Sequence, residues 1–282
     1  MSTMGALRFL RRVTGKSILN SLEKLSRVIM VRHDFMIAGY VVMDYLARFI
    51  KLQSLRDHTV KFKCECGYTF NAKLRDWWRF LSHFEPKTSA FLRKNVSKED
   101  IVLDVGAHIG IHTIHLSKIA KFVYAIEPEP NNLKLLIRNI FVNNVEKKVS
   151  ILPYAVSSIN GLVNFCVSSE STGAHHILFN NRRGDTAYKT ILKVKAYTLD
   201  TLLLNILRLD HVDVVKIDVE GHELEVIKGA QKIFRRIPPR IIVVETRRGS
   251  EVLKILTDKY NYKLVHILDY WNNTCNYAFS LK

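Results

Sequence analysis

IVLDVGAHIGIHT, Ile101 to Thr113, is the stretch whose reading decides the fold. An apolar, β-branched run ends at Asp104. Gly106 and Gly110 then bracket a tight turn, and a helical period starts behind it. Strand, glycine turn and helix in that order form the first βα unit of a nucleotide-binding sheet, where ligands lie at the carboxyl ends of the strands. Glycine lets a ligand approach the backbone closely. The free amides at a helix start can receive a polar or anionic group.

The glycine spacing narrows the ligand. A dinucleotide cradle reads G-x-G-x-x-G, whereas here the pattern is G-x-x-x-G, with Ala107 and His108 inside it. A ligand without a pyrophosphate fits better, such as S-adenosylmethionine with its charged aminoacyl end against the loop. The next strand, VYAIEPEP, ends in Glu127, placed to accept hydrogen bonds from ribose hydroxyls. Pro128 and Pro130 fix the following turn, and Asn131 or Asn132 is the expected cap of the next helix. His108 and His112 stand one turn apart but lack the acid of an H-E-x-x-H pair, so no metal site is assigned to them.

Outward from this loop, apolar strand-like runs (IVLDVG, KFVYAIE, KVSILPYAVS, VDVVKIDVEG, PRIIVVET) alternate with helical segments (HTIHLSKIA, NNLKLLIRNIFVN, LDTLLLNILR, ELEVIKGAQKIFRR). Near-continuous apolar strands are covered on both faces, as in a parallel sheet. The alternation predicts a Rossmann-like, doubly wound α/β sheet. YKLVHIL and NYAFSLK predict a closing antiparallel hairpin. Upstream, Leu7 to Leu55 has helical periodicity and TVKFKCECGYTFNA, Thr59 to Ala72, alternates like a hairpin. Residues 1–98 therefore read as a helical and β-hairpin extension, and residues 99–282 as the main domain.

Composition sets further bounds. The 282 residues are 48% hydrophobic, enough for a sizeable core and unlike a disordered chain. The formal net charge of +17 points to an anionic partner or surface. Up to Lys63 the only acids are Glu23, Asp34, Asp44 and Asp57, against many more Lys and Arg, so basic N-terminal helices could rest on a membrane face. The apolar part of Val28–Ile50, Phe35 to Met43, is too short to span a bilayer. No secretory signal is read at the start. Cys64 and Cys66, one residue apart, are expected to be reduced, which places the protein in the cytoplasm.

Four phrases in order, LDVGAHIGIHT, IEPEPNNLKLLIRNI, VDVVKIDVEGHELEVIKGA and IIVVET, resemble the FkbM family of S-adenosylmethionine-dependent methyltransferases, with KIDVEGHE the most specific. The resemblance covers about Asp100 to Thr246. It implies a seven-stranded class I methyltransferase sheet and methyl transfer to a hydroxyl, often of a sugar, glycolipid or small metabolite. By position it implies that Asp104, Gly106, Ala107 and Gly110 hold the methionine end, Glu127 the ribose, and Ala155 and Val156 the adenine. Asp218 would face the transferred methyl or the amino group. The family usually has Asn where this chain has His108, which could replace that amide at the cofactor, and an aromatic where it has His112.

Methyl transfer to a hydroxyl needs a proton acceptor beside the acceptor oxygen. Asp218, Glu220 and His222 close the fourth strand and Glu245 ends the fifth, so these four are the catalytic candidates, Asp218 or His222 serving as base. The acids could instead hold a divalent cation. Glu223 and Glu225 stand at a helix start, where acids favour the dipole, and are given no chemistry. His175 and His176 are placed in a loop that could reach the site mouth. A nucleic-acid methyltransferase is the second reading: DVEG stands where base-amine methylating enzymes carry D/N-P-P-Y/F, which leaves an RNA ribose hydroxyl as acceptor. A basic membrane-surface scaffold is the non-enzymatic alternative.

Overall fold

The computed structural model describes residues 43–44, 56–64, 66–80, 84–168, 171–178, 188–271 and 273–282. The chain divides into two compact units, Met1–Gly67 with Asn71–His83, and Tyr68–Phe70 with Phe84–Lys282. The expected N-terminal helices lie largely outside the described residues. No helix among the described residues is long and apolar enough to cross a membrane.

The expected hairpin forms as a two-stranded sheet of β1 (Thr59–Lys63) and β2 (Thr69–Lys73). At its turn Gly67 takes φ +86° and donates its N–H to the Cys64 carbonyl. This turn brings Cys64 and Cys66 to a Cα separation of 5.2 Å, and they form a disulfide. The expectation of reduced cysteines is therefore corrected: the tight turn, rather than the one-residue spacing, sets the Cα distance, which lies in the bridging range.

In the second unit, α1 (Pro86–Asn95) precedes β3 (Ile101–Val105), α2 (Ile111–Ser117), β4 (Phe122–Ile126), α3 (Pro130–Val142) and β5 (Val149–Leu152). After an insertion come β10 (Val214–Ile217), the short helices α4 (Glu223–Lys228) and α5 (Gln231–Arg236), β11 (Ile241–Arg247), α6 (Glu251–Lys254), β12 (Tyr262–Trp271) and β13 (Thr274–Leu281). Seven strands form one sheet in the order β12-β13-β11-β10-β3-β4-β5. β3 pairs in parallel with β4 and β10, β10 with β11, and β4 with β5, whereas β13 runs antiparallel to β11 and β12. This is the expected sheet with its closing hairpin. Strand order reverses at β3, and the glycine turn stands at that switch point.

The sheet's two faces differ in kind. Leu103, Val105, Val215, Ile217, Ile242, Val244, Tyr277 and Phe279 join Val226, Ile227, Ile233 and Phe234 of α4 and α5 in the main apolar core. The alternate positions carry a polar row. Lys216 is the register partner of Asp104 and of Val243, and Glu245 is the partner of Asn276. Asp218 continues the β10 ladder by donating its N–H to Val105. Residues two apart on a strand share a face. Asp104, Lys216, Asp218, Glu245 and Asn276 thus line one face of four strands.

The insertion is a finding that sequence reading missed. β6 (Ala155–Val156), β7 (Gly161–Ser168), β8 (His176–Ile177) and β9 (Tyr188–Tyr197) form a separate sheet, ordered β6-β9-β7-β8, with its own small core around Phe165, Val194 and Ala196. The segment read as a helix from Leu199 forms a single π-turn, Thr201–Ile206.

Candidate active site

The glycine loop is tied to the sheet by its own amides. Gly106 and Ala107 donate to the Ile126 carbonyl, Gly110 to the Ala107 carbonyl, and His108 to Glu127 Oε2 at 2.9 Å. These four donors are engaged within the chain, so they are not the receptors for an anionic group that the loop pattern suggests. The glycines answer to chain packing as well. Gly106 has φ +85°, and a Cβ there would stand 1.8 Å from the Asp218 carbonyl oxygen. Gly110 has φ +89°, and its Cβ would meet a Leu136 methyl at 2.5 Å. The close approach at Gly106 is thus that of β10's end. His108 also has a positive φ, 54°, a conformation in which Asn and His are both enriched.

Side chains, rather than amides, face the loop. Glu127 is 5% exposed. Its Oε1 accepts from the Glu129 N–H at 3.0 Å and from Asn132 Nδ2 at 3.3 Å. Burial pushes its carboxyl up to about 7, against these hydrogen bonds and that of His108, which favour the ionised form. Asn132 Nδ2 also donates to the Thr172 carbonyl, and His108 Nε2 meets Thr172 Oγ1 at 2.6 Å, so the loop before β8 is pinned to this rim. The expected helix cap is corrected: Glu129, not Asn131 or Asn132, caps α3, its carboxylate accepting from the Asn132 N–H at 2.7 Å. Pro128 stands half-buried between the two buried glutamates.

Among the described residues, two buried oxygens at this rim have no hydrogen-bond partner. Asp104 is 1% exposed; its Oδ2 accepts from Thr113 Oγ1 at 2.6 Å, and its Oδ1 has none. Asn132 Oδ1 is the other. A buried acceptor without a donor is expensive, and both suit a ligand that brings N–H or O–H groups. Ala155 and Val156 are buried in the two apolar clusters.

Beside the loop lies an acid cluster. Carboxylate oxygens of Glu85, Asp218 and Glu245 all come within 4.8 Å of one another. Lys216, 1% exposed, gives Asp218 an ammonium at 3.1 Å. Burial alone would lower the Lys216 pKa, but Asp218, Glu85 and Asp104 raise it well above its ordinary value. Glu85 was not foreseen. It precedes α1 in a left-handed conformation, φ 45°, and turns its carboxylate to His112 Nε2 at 2.9 Å instead of capping its own helix. Asp269 of β12 takes over the cap, accepting from the Lys87 and Thr88 amides. Burial, with Asp218 and Glu85 alongside, pushes the Glu245 carboxyl up to about 8, against the Thr274 hydroxyl at 2.8 Å and Lys216.

Of the four catalytic candidates, the structure brings Asp218 and Glu245 together. Glu220 and Gly221 both take positive φ, so the chain turns sharply behind Asp218. Glu220 is exposed. His222 is buried against Ser157, its Nε2 2.9 Å from the hydroxyl, and burial lowers its pKa to about 4. Glu223 accepts from the Gly221 amide. His175 accepts from the Ser168 N–H.

A switch-point loop, a buried acid on β3, another just past β4 and a charged row across β10 and β11 are the site's main features. The methyltransferase FkbM domain matches residues 104–267, more than half of the chain. The hexuronic acid methyltransferase AglP of Haloferax volcanii is 30% identical over 171 residues, 59% of this chain and 65% of that protein. The methyltransferase sdnD of Sordaria araneosa is 27% identical over 195 residues, 58% of this chain and 74% of that protein. Among solved structures, the methyltransferase FkbM of Methylobacillus flagellatus is 16% identical with a TM-score of 0.48, over 73% of this chain and 53% of that one. The match that begins at Asp104 takes in the glycine loop, Glu127, Asp218 and Glu245, and by it this chain belongs to the FkbM methyltransferase family.

Proposed function

We propose that the protein transfers the methyl group of S-adenosylmethionine to a hydroxyl of a sugar-like acceptor. The observation that carries this reading is Asp104: a buried carboxylate at the sheet's switch point with one oxygen bonded and the other without a partner. That oxygen would take the ammonium of the methionine end. Glu127, whose Oε2 accepts one hydrogen bond with capacity for a second, and Asn132 Oδ1 would take the ribose hydroxyls. Among the described residues, the carboxylates of Asp104, Glu85, Asp218 and Glu245 face Lys216 and the His112 ring around this space, an acidic balance that favours a cationic ligand.

Bound there, S-adenosylmethionine supplies an already activated methyl group. The chain's part is to place the acceptor and remove its proton. Asp218 and Glu245 are the groups at hand, and the positive charge among them comes from Lys216. His222 and Glu220 receive no chemical role. The sugar-like acceptor is supported by the relative that acts on a hexuronic acid, and the excess of Lys and Arg suits an anionic one. Residues 99–282 are proposed as the main methyltransferase domain, with Glu85 added from the preceding segment.

Glu245→Gln is expected to lower transfer by about 100-fold or more, with cofactor affinity changed far less. The assay offers labelled cofactor with hexuronate-bearing lipid-linked glycans and, in parallel, with total RNA. Label is expected in the glycan fraction. Label in RNA alone overturns the sugar assignment and supports the ribose reading.

A further inference from the structure

We propose that Glu85, Asp218 and Glu245 share one proton in the free protein, and that a bound cationic cofactor expels it, arming Glu245 to take the proton of the acceptor hydroxyl. The inference rests on the reading that the site binds S-adenosylmethionine.

Three carboxylates whose oxygens lie within 4.8 Å of one another cannot all ionise without opposing charge. Asp218 has the Lys216 ammonium at 3.1 Å. Glu85 has the His112 ring nitrogen at 2.9 Å. Glu245 has the Thr274 hydroxyl, a neutral donor, so the proton rests on Glu245. The raised Glu245 pKa agrees with this placement. Among the described residues, the charged and titratable groups around it are Lys216 from β10, Asp218 just past that strand, Glu85 from the residue before α1, His112 from α2 and Asp104 from β3.

A second observation points to a ligand. Asn276 is the register partner of Glu245 across β11 and β13, so both side chains stand on one face. Asn276 is 3% exposed and its Oδ1 has no hydrogen-bond partner. An orphan acceptor beside the acid that must lose a proton suits a hydroxyl-bearing acceptor.

The proton balance closes. A positive charge arriving beside the cluster lowers the Glu245 pKa, and its proton leaves to solvent. In the transfer, the acceptor oxygen bonds to the methyl carbon, the carbon–sulfur bond breaks with its electron pair left on sulfur, and the hydroxyl proton passes to Glu245. The positive charge is gone at that point, so Glu245 keeps the proton, and the net proton of the reaction is the one released on binding. Glu85 is a positioning residue in this scheme: its charge keeps Glu245 protonated until the cofactor arrives.

Calorimetry of the full chain in buffers of differing ionisation enthalpy tests this directly. At pH 7, S-adenosylmethionine is expected to release close to one proton per site more than S-adenosylhomocysteine, which lacks the sulfonium charge, and this excess should fade as pH rises past about 8. Protons that Glu127, near 7, gives up to the shared ribose are common to both ligands and cancel in the difference. Glu245→Gln should abolish the excess, and Glu85→Gln should lower it at pH 7 by about half or more, because Glu245 then ionises earlier. Thr274→Val, which removes a hydrogen bond that favours the ionised form, should carry the excess to higher pH and covers the case in which an acid variant fails to fold. Binding of S-adenosylmethionine without this excess, or an equal excess from Glu245→Gln, overturns the inference and leaves the cofactor reading intact. No binding heat from either ligand overturns both.

Discussion

Glu127→Ala is expected to weaken S-adenosylmethionine binding by about 100-fold or more, near 3 kcal/mol. The carboxylate does two things at once. It is the acceptor proposed for the ribose, and it accepts from His108, Glu129 and Asn132. Its loss leaves buried donors unpaired at about 1–3 kcal/mol each. The His108 amide belongs to the glycine loop, so the loop loosens beside Asp104, the group proposed for the methionine end. Glu127→Gln keeps one acceptor oxygen and should fall between the two. Calorimetric affinity and thermal midpoint, measured on all three proteins, separate lost recognition from lost fold. Unchanged affinity in Glu127→Ala would remove Glu127 from the cofactor site.

Gly106→Val is expected to give little or no folded protein. The backbone there is in the left-handed region, and the added Cβ would stand 1.8 Å from the Asp218 carbonyl oxygen, which cannot swing aside as a side chain can. Left-handed strain alone is about 1–2 kcal/mol, and a backbone clash raises the total beyond about 4 kcal/mol. Two other glycines grade the effect. Gly110→Ala meets the movable end of Leu136, and Gly221→Ala, at φ +92°, meets open space. Thermal midpoints should fall least for Gly221→Ala, more for Gly110→Ala and most at Gly106. A Gly106→Val protein as stable as Gly221→Ala would contradict the packing of β10 against the loop.

The sheet was legible because buried parallel strands need apolar residues on both faces, and five such runs punctuate the chain. The polar row was legible too, as the breaks in those runs at Asp104, Asp218 and Glu245. Glu85 was not. It reaches the row from a left-handed turn more than a hundred residues before Asp218, and nothing local marks it, since an acid before Pro86 reads as an ordinary helix start. His222 misled for the converse reason. It follows Asp218 closely in sequence, but the turn at Glu220 and Gly221 sends it to Ser157. The inserted sheet did leave a trace, the alternation in KTILKVKAY within β9, which nearby helical periodicity obscured. Asn132 was seen as a cap, because Asn before a helical run usually is one. Its carbonyl oxygen became a candidate only once Glu129 was found holding the cap.

The central claim is that Asp104, Glu127 and the row beside them form a site for S-adenosylmethionine. Calorimetric titration of the full chain with S-adenosylmethionine tests it most directly. The structure predicts saturable binding at one site per chain, competed by S-adenosylhomocysteine and weakened by Asp104→Asn and by Glu127→Ala. A chain that takes up no S-adenosylmethionine, or that binds it equally well without both carboxylates, would contradict it.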